Sequence, residues 1–138
     1  MKLESKFYNE LKRITPQIRW TRIENTSVSG TPDLLGYNDS GRYFTVELKV
    51  SRSNKVNLSP HQIAYHITHP KNSFILVKSL AASTVILYEG SSVKDLVACG
   101  LELEAFFFFH IFSSACHNSR SRLSGPSMHG NSRTCCPA

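Results

Sequence analysis

Three residues carry side chains whose types and spacing suit chemistry: Asp33 in S-G-T-P-D, and Glu47 and Lys49 in V-E-L-K. Residues two apart on a strand project from one face, so Glu47 and Lys49 point the same way. Two carboxylates on neighbouring strands are the donor set of a hard divalent cation, which fills its remaining positions with water and phosphate oxygens. A lysine beside such a cation can hold or deprotonate a water and stabilise charge building on a phosphate. An isolated E-x-K on a strand is ordinarily an exposed charge pair. What gives this one chemical meaning is the P-D pair, with Asp33 lying 14 residues before Glu47 and ahead of a hairpin of the right size.

Those side chains need elements to position them. Leu3, Phe7, Leu11 and Ile14 recur at helical spacing and predict a helix over 3–14, closed by Thr15-Pro16. Residues 18–24 alternate as a strand, and the polar loop from Asn25 to Thr31 leads through Pro32-Asp33 into a short strand, 34–37. Gly30 and Pro32 shape the turn that brings Asp33 to Glu47. N-D-S-G at 38–41 predicts a hairpin turn. In the strand 43–50, Phe44, Val46, Leu48 and Val50 share one face and Thr45, Glu47 and Lys49 the other. The polar face is expected to be buried beside the first helix. A polar loop, 51–58, carries Arg52 and Lys55, and Ser59-Pro60 opens a helix to about His69 with Ser59 as cap. Apolar runs at 74–77 and 84–88 predict two further strands, and 92–99 a short helix.

The order helix, strand, P-D strand, E-x-K strand, helix resembles the PD-(D/E)XK nuclease superfamily. More narrowly, R-I-E-N, S-G-T-P-D, V-E-L-K and L-S-P-H-Q-I-A-Y-H resemble the small stand-alone VRR-NUC type nucleases of phage genomes, over roughly residues 3–80. The resemblance implies an α/β fold with a restriction-endonuclease-like core, a central mixed β-sheet flanked by helices. It implies a Mg2+ or Mn2+ site on Asp33, Glu47 and the backbone carbonyl of Leu48, with Lys49 in the catalytic lysine position. A glutamate on the first helix often joins such a site; Glu4 matches best, and Glu10, across the apolar stripe, is the alternative. Gln62 looks like the family's helix glutamine near the metal, yet Ser59-x-x-Gln62 is also a capping box that needs no catalysis. Arg22 shares a strand face with Glu24, either near DNA and metal or simply in solvent. Arg52 and Lys55 are expected to track the phosphate backbone, and His66, one turn after Gln62, to contact phosphate or to serve structure.

Composition bounds the rest. At 138 residues and 41% hydrophobic, the chain is one domain with enough apolar surface to exclude full-length disorder. The formal charge of +6 suits an anionic partner such as DNA. No apolar run approaches the roughly 18 residues of a membrane span, and the charged start lacks a secretory signal. A cytoplasmic location is expected, in the host cell if the chain is phage-encoded. All ten acidic residues lie in 1–104, whereas 105–138 holds Arg120, Arg122 and Arg133 and no acid. Phe106 to Phe109 fits no period, so the nuclease domain is read as 1–100 and 105–138 as a disordered or non-native tail. Cys116, Cys135 and Cys136 sit in that tail with only Cys99 before it, a pattern that reads as reduced and intracellular. With His117 and His129 they are possible zinc ligands, but C-x-x-C and H-x-x-x-H spacings are missing. The expected function is a divalent-metal-dependent DNA endonuclease of branched-DNA (Holliday-junction-like) or repair and recombination type. The alternatives are a site-specific restriction-like or homing endonuclease and a non-cleaving DNA-binding module of the same fold. One site per chain and two strands to cut lead to an expected homodimer.

Overall fold

The computed structural model describes residues 2–24 and 27–110, with side chains described through residue 106. The elements are α1 (Leu3–Ile14), β1 (Arg19–Arg22), β2 (Leu34–Tyr37), β3 (Tyr43–Ser51), α2 (Pro60–Thr68), β4 (Ser73–Ser79), β5 (Thr84–Glu89), α3 (Val93–Cys99) and β6 (Phe107–His110). The strands form one sheet in chain order, β1 to β6. Every neighbouring pair is antiparallel except β3–β4. A parallel pair needs a long crossover, and α2 lies within it. The β2–β3 turn is held by Asn38, whose Oδ1 accepts from the N–H groups of Ser40 and Arg42, each at 3.0 Å.

Each face of the sheet has its own core. Phe7 and Leu11 of α1 pack with Leu34, Val46, Leu48, Leu76 and Val85 on one face. On the other, Val93 and Leu96 of α3 pack with Val56, Ile75, Val77, Ile86 and Tyr88, and Ile63 of α2 rests against them. The alternation of β3 therefore delivers Val46 and Leu48 to α1. It delivers Thr45 and Glu47 to α2, where Tyr65 and Gln62 meet them. This corrects the expectation that the Glu47 and Lys49 face lies beside the first helix. The buried side of α1 is Phe7 and Leu11, which offer a carboxylate no hydrogen bond, whereas α2 brings an amide and a phenol.

The sheet runs past the boundary read from the sequence. Residues 107–110 pair with 84–87 of β5, and the Phe106 N–H donates to the Leu87 carbonyl at 2.9 Å. Phenylalanine favours strands with or without alternation, and the pairing covers the outer edge of β5. Cys116, His117, His129, Cys135 and Cys136 lie outside the described residues. No helix among the described residues is long and apolar enough to cross a membrane.

The β5–β6 pairing makes a prediction about truncation. A chain ending at Glu104 is expected to melt at least about 4 °C below one ending at His110, the equivalent of roughly 1 kcal/mol in a domain of this size. Equal melting temperatures, read by circular dichroism under reducing conditions, contradict a stabilising β6.

Candidate functional site

The site forms where β3 outruns β2. Leu34 opens β2 and pairs with Val46, while β3 continues to Ser51. Beyond the last pair, the Leu48 N–H donates to Asp33 Oδ2 at 2.8 Å, so this carboxylate occupies the place of the missing strand. The N–H and C=O of one strand residue point to the same side. The Leu48 carbonyl therefore faces the same open edge as Asp33. Asp33 is fixed in turn by its own backbone, whose carbonyl accepts from the Ile23 N–H at 2.8 Å. Upstream, Gly30 has φ +86°, and a Cβ there would lie 2.4 Å from the His61 carbonyl oxygen. Only glycine permits both that conformation and that approach, so Gly30 seats the loop before Asp33 on the first turn of α2.

Glu47 is the centre of the site. It is 2% exposed. The Gln62 Nε2 donates to its Oε1, and Lys49 Nζ stands 3.4 Å from the same oxygen. Its Oε2 is buried and accepts no hydrogen bond from the described residues. Burial pushes the Glu47 carboxyl up to about 7; the Asp33 charge adds to the rise, Lys49 opposes it and Glu4 adds a smaller push. Gln62 forms the cap and also touches Glu47. Its Oε1 accepts from the Ser59 N–H at 2.9 Å and its backbone N–H donates to Ser59 Oγ at 3.2 Å, a complete capping box. Its Nε2 is left for Glu47.

Two clefts flank the open edge, and Glu4 lines both. One, of about 210 Å3, holds Asp33 and Leu48 with Lys2, Tyr8 and Arg22. The other, of about 410 Å3, holds Lys49 with Arg52, Lys55 and Asn57. Glu10 instead pairs with Lys78. Arg22, Arg52 and Lys55 are exposed and free to meet a polyanion. Glu24 is exposed as well and lines neither cleft. His66 is not placed for DNA, which corrects the expected phosphate contact. It is 1% exposed, and its Nδ1 is hydrogen-bonded to Ser73 Oγ. Burial, with His69 adding a smaller push, holds the imidazole down to about 4, so it is a neutral structural group. It does share the face of Gln62, but that face is turned into the protein. Tyr8, which the sequence reading passed over, lines the Asp33 cleft; the sequence signal is its place one helical turn after Glu4.

Among the described residues, no group of three or more His, Cys, Asp or Glu is gathered tightly enough to hold a metal by itself. The available donors are Asp33, the unpartnered Glu47 oxygen and the Leu48 carbonyl. An all-oxygen set this small fits Mg2+ or Mn2+, which keep water and phosphate in the remaining positions.

No protein-family model matches the chain, and no curated protein does. Among solved structures, its fold is similar to that of Archaeoglobus fulgidus Hjc, a Holliday junction resolvase from an archaeal hyperthermophile. The match has a TM-score of 0.51 and 17% identity, and covers 63% of this chain and 77% of that one. At this identity the likeness is one of fold: a mixed α/β sheet with flanking helices.

Glu47 and His66, both buried, predict opposite pH limbs. Glu47 rises from 4.5 to about 7 on folding, so between these values the folded chain holds a proton that the unfolded chain has released, and stability falls as pH rises. His66 falls from 6.5 to about 4, so stability is lost as pH drops through that window. Each limb shows in the variant lacking the other group. In urea titrations with EDTA, Glu47→Gln is expected to gain stability from pH 4 to 6.5, and His66→Gln to lose it from pH 4.5 to 7. Each change is on the order of 2–3 kcal/mol. Parallel slopes in the two variants contradict the assignment.

Gln62→Glu gives a further test. The cap survives, because a carboxylate accepts from the Ser59 N–H as an amide does, but the donor to Glu47 becomes a second acid. Its melting temperature in EDTA is expected to match wild type at pH 5 and to fall below it at pH 8. A fall of equal size at both pH values contradicts the contact with Glu47.

Proposed function

We propose that the chain is a divalent-metal-dependent DNA endonuclease, a deoxyribonuclease that hydrolyses phosphodiester bonds in branched, Holliday-junction-like DNA. The observation that carries this reading is the buried Glu47 oxygen without a donor, set beside Asp33 and the Leu48 carbonyl on an open sheet edge. A buried, unsatisfied carboxylate oxygen costs about 1–3 kcal/mol, more when ionised, and a cation offsets that cost. Asp33, Glu47 and the Leu48 carbonyl would hold Mg2+ or Mn2+, which would supply Lewis acidity to the phosphate and lower the pKa of water.

The chain's own residues do the rest. Lys49 Nζ stands beside Glu47, where as the ammonium it orients the attacking water and stabilises charge on the phosphate, and as the neutral amine it would accept that water's proton. Gln62 fixes the Glu47 carboxylate through Oε1 and leaves Oε2 for the cation. Glu4 borders both clefts and adds negative charge toward that cation. Arg52 and Lys55 on one side, and Arg22 on the other, hold backbone phosphates.

Branched DNA is supported by the fold's likeness to a Holliday junction resolvase. The blocks that resemble those of VRR-NUC type phage nucleases support the same chemistry. The catalytic unit lies within residues 1–100, acts as a homodimer so that two strands meet two sites, and works in the cytoplasm.

The test is digestion of linear duplex, nicked, flapped and four-way-junction DNA with Mg2+ or with EDTA. The junction is expected to be cut with Mg2+ only. Asp33→Ala, Glu47→Ala and Lys49→Ala are each expected to lose on the order of 10²–10⁴ in rate. Folded Asp33→Ala or Glu47→Ala protein that cuts normally overturns the assignment. Sharp cutting at one sequence in linear duplex favours a site-specific enzyme, and binding without cutting favours a non-cleaving module. Sedimentation with the junction is expected to show two chains per DNA; a strict monomer that nicks one strand removes the dimer.

A further inference from the structure

We infer that Tyr8 is a positioning residue whose ring holds the Arg22 guanidinium at the mouth of the Asp33 cleft, where Arg22 grips the phosphate next to the one cleaved. The inference rests on the nuclease reading and adds a residue and a direction to it. The Arg22 guanidinium carbon lies 5.8 Å from the centroid of the half-buried Tyr8 ring, within range of a cation–π contact. Among the described residues the ion pairs are Lys49–Glu47 and Lys78–Glu10, so no carboxylate neutralises Arg22. Its charge stays available to an anion.

Placement supplies the direction. Arg22 sits directly across from Leu34 in the β1–β2 ladder, and Leu34 follows Asp33. Tyr8 and Arg22 line the same cleft as Asp33 and Leu48, and Lys49, Arg52 and Lys55 line the other. A strand that runs through both clefts past Asp33 therefore meets cations in each. The second cleft supplies three of them from one strand and loop, whereas Arg22 stands on an exposed strand and needs a support. An unsupported arginine loses rotamer freedom when it binds, and a ring contact that already limits it reduces that loss. Tyr8 shares one side of α1 with Glu4 and Lys12, at positions i, i−4 and i+4. Lys12 also lies over the ring, at 4.5 Å, but does not line the cleft.

The experiment measures binding of a fluorescein-labelled four-way junction by anisotropy over a salt series, with Ca2+ in place of Mg2+. Cleavage of the same junction with Mg2+ is followed in parallel. Arg22→Gln and Tyr8→Leu are each expected to weaken binding roughly three- to tenfold and to lower the salt slope by about one phosphate contact. The double variant is expected to be no weaker than either single one. Tyr8→Phe restores binding because the ring face is kept, and Lys12→Gln binds as wild type. Independent losses that multiply in the double variant, or Tyr8→Leu binding like wild type, overturn the inference.

A second measurement holds even if Tyr8→Leu does not fold. In wild type and Tyr8→Phe, the Arg22 side-chain protons are expected to be displaced upfield by the ring current. Random-coil positions in wild type overturn the contact. Wild type that neither binds nor cuts DNA overturns the nuclease reading with it. Wild type that cuts while Arg22→Gln binds unchanged overturns this inference alone.

Discussion

The structure depends on keeping one carboxylate, that of Glu47, almost wholly out of water. A strand side chain at this position must be covered from the α2 side, and a buried charge is tolerated only with partners. Gln62 and Lys49 serve one oxygen and leave the other without a donor. This half-satisfied arrangement is costly for an isolated protein and well suited to a cation. Burial and the Asp33 charge act together, holding the carboxyl near 7 rather than in the usual carboxylate range.

The rest of the fold arranges itself around that constraint. β2 begins late, so the Leu48 N–H and C=O look onto open space, and Asp33 takes the N–H. Gly30 lets the preceding loop lie on the backbone of α2, linking the position of Asp33 to that of Gln62. The Ser59 cap fixes Gln62 through one end of its amide while the other end reaches Glu47. Cap, loop and strand edge are therefore one mechanical unit. The α1 core on the opposite face carries Glu4 to the margin of both clefts, with Tyr8 one turn behind it.

Much of this is legible in the sequence, for physical reasons. The alternation of β3 separates Val46 and Leu48 from Glu47 and Lys49, and the Ser-Pro start of α2 fixes its first turn. Alternation assigns residues to faces but does not say which helix covers each face, and this is why the sequence alone puts α1 rather than α2 over Glu47. His66 shows the same limit: its spacing from Gln62 gives the shared face, whereas its burial depends on Ser73 in β4, a partner remote in sequence. The run from Phe106 has no period to read, and its strand is set by pairing with β5, a long-range term. Gln62 presented a choice between cap and site because one residue letter does not reveal that the two ends of an amide have different partners.

The most direct test is a carbon-detected NMR titration of the Glu47 carboxyl in the full chain, with and without Mg2+. The account predicts a midpoint near 7 in EDTA and a clear shift to lower pH when Mg2+ is added, as the cation takes the place of the proton. A midpoint near 4.5, the ordinary glutamate value, or one that Mg2+ leaves unmoved, contradicts it.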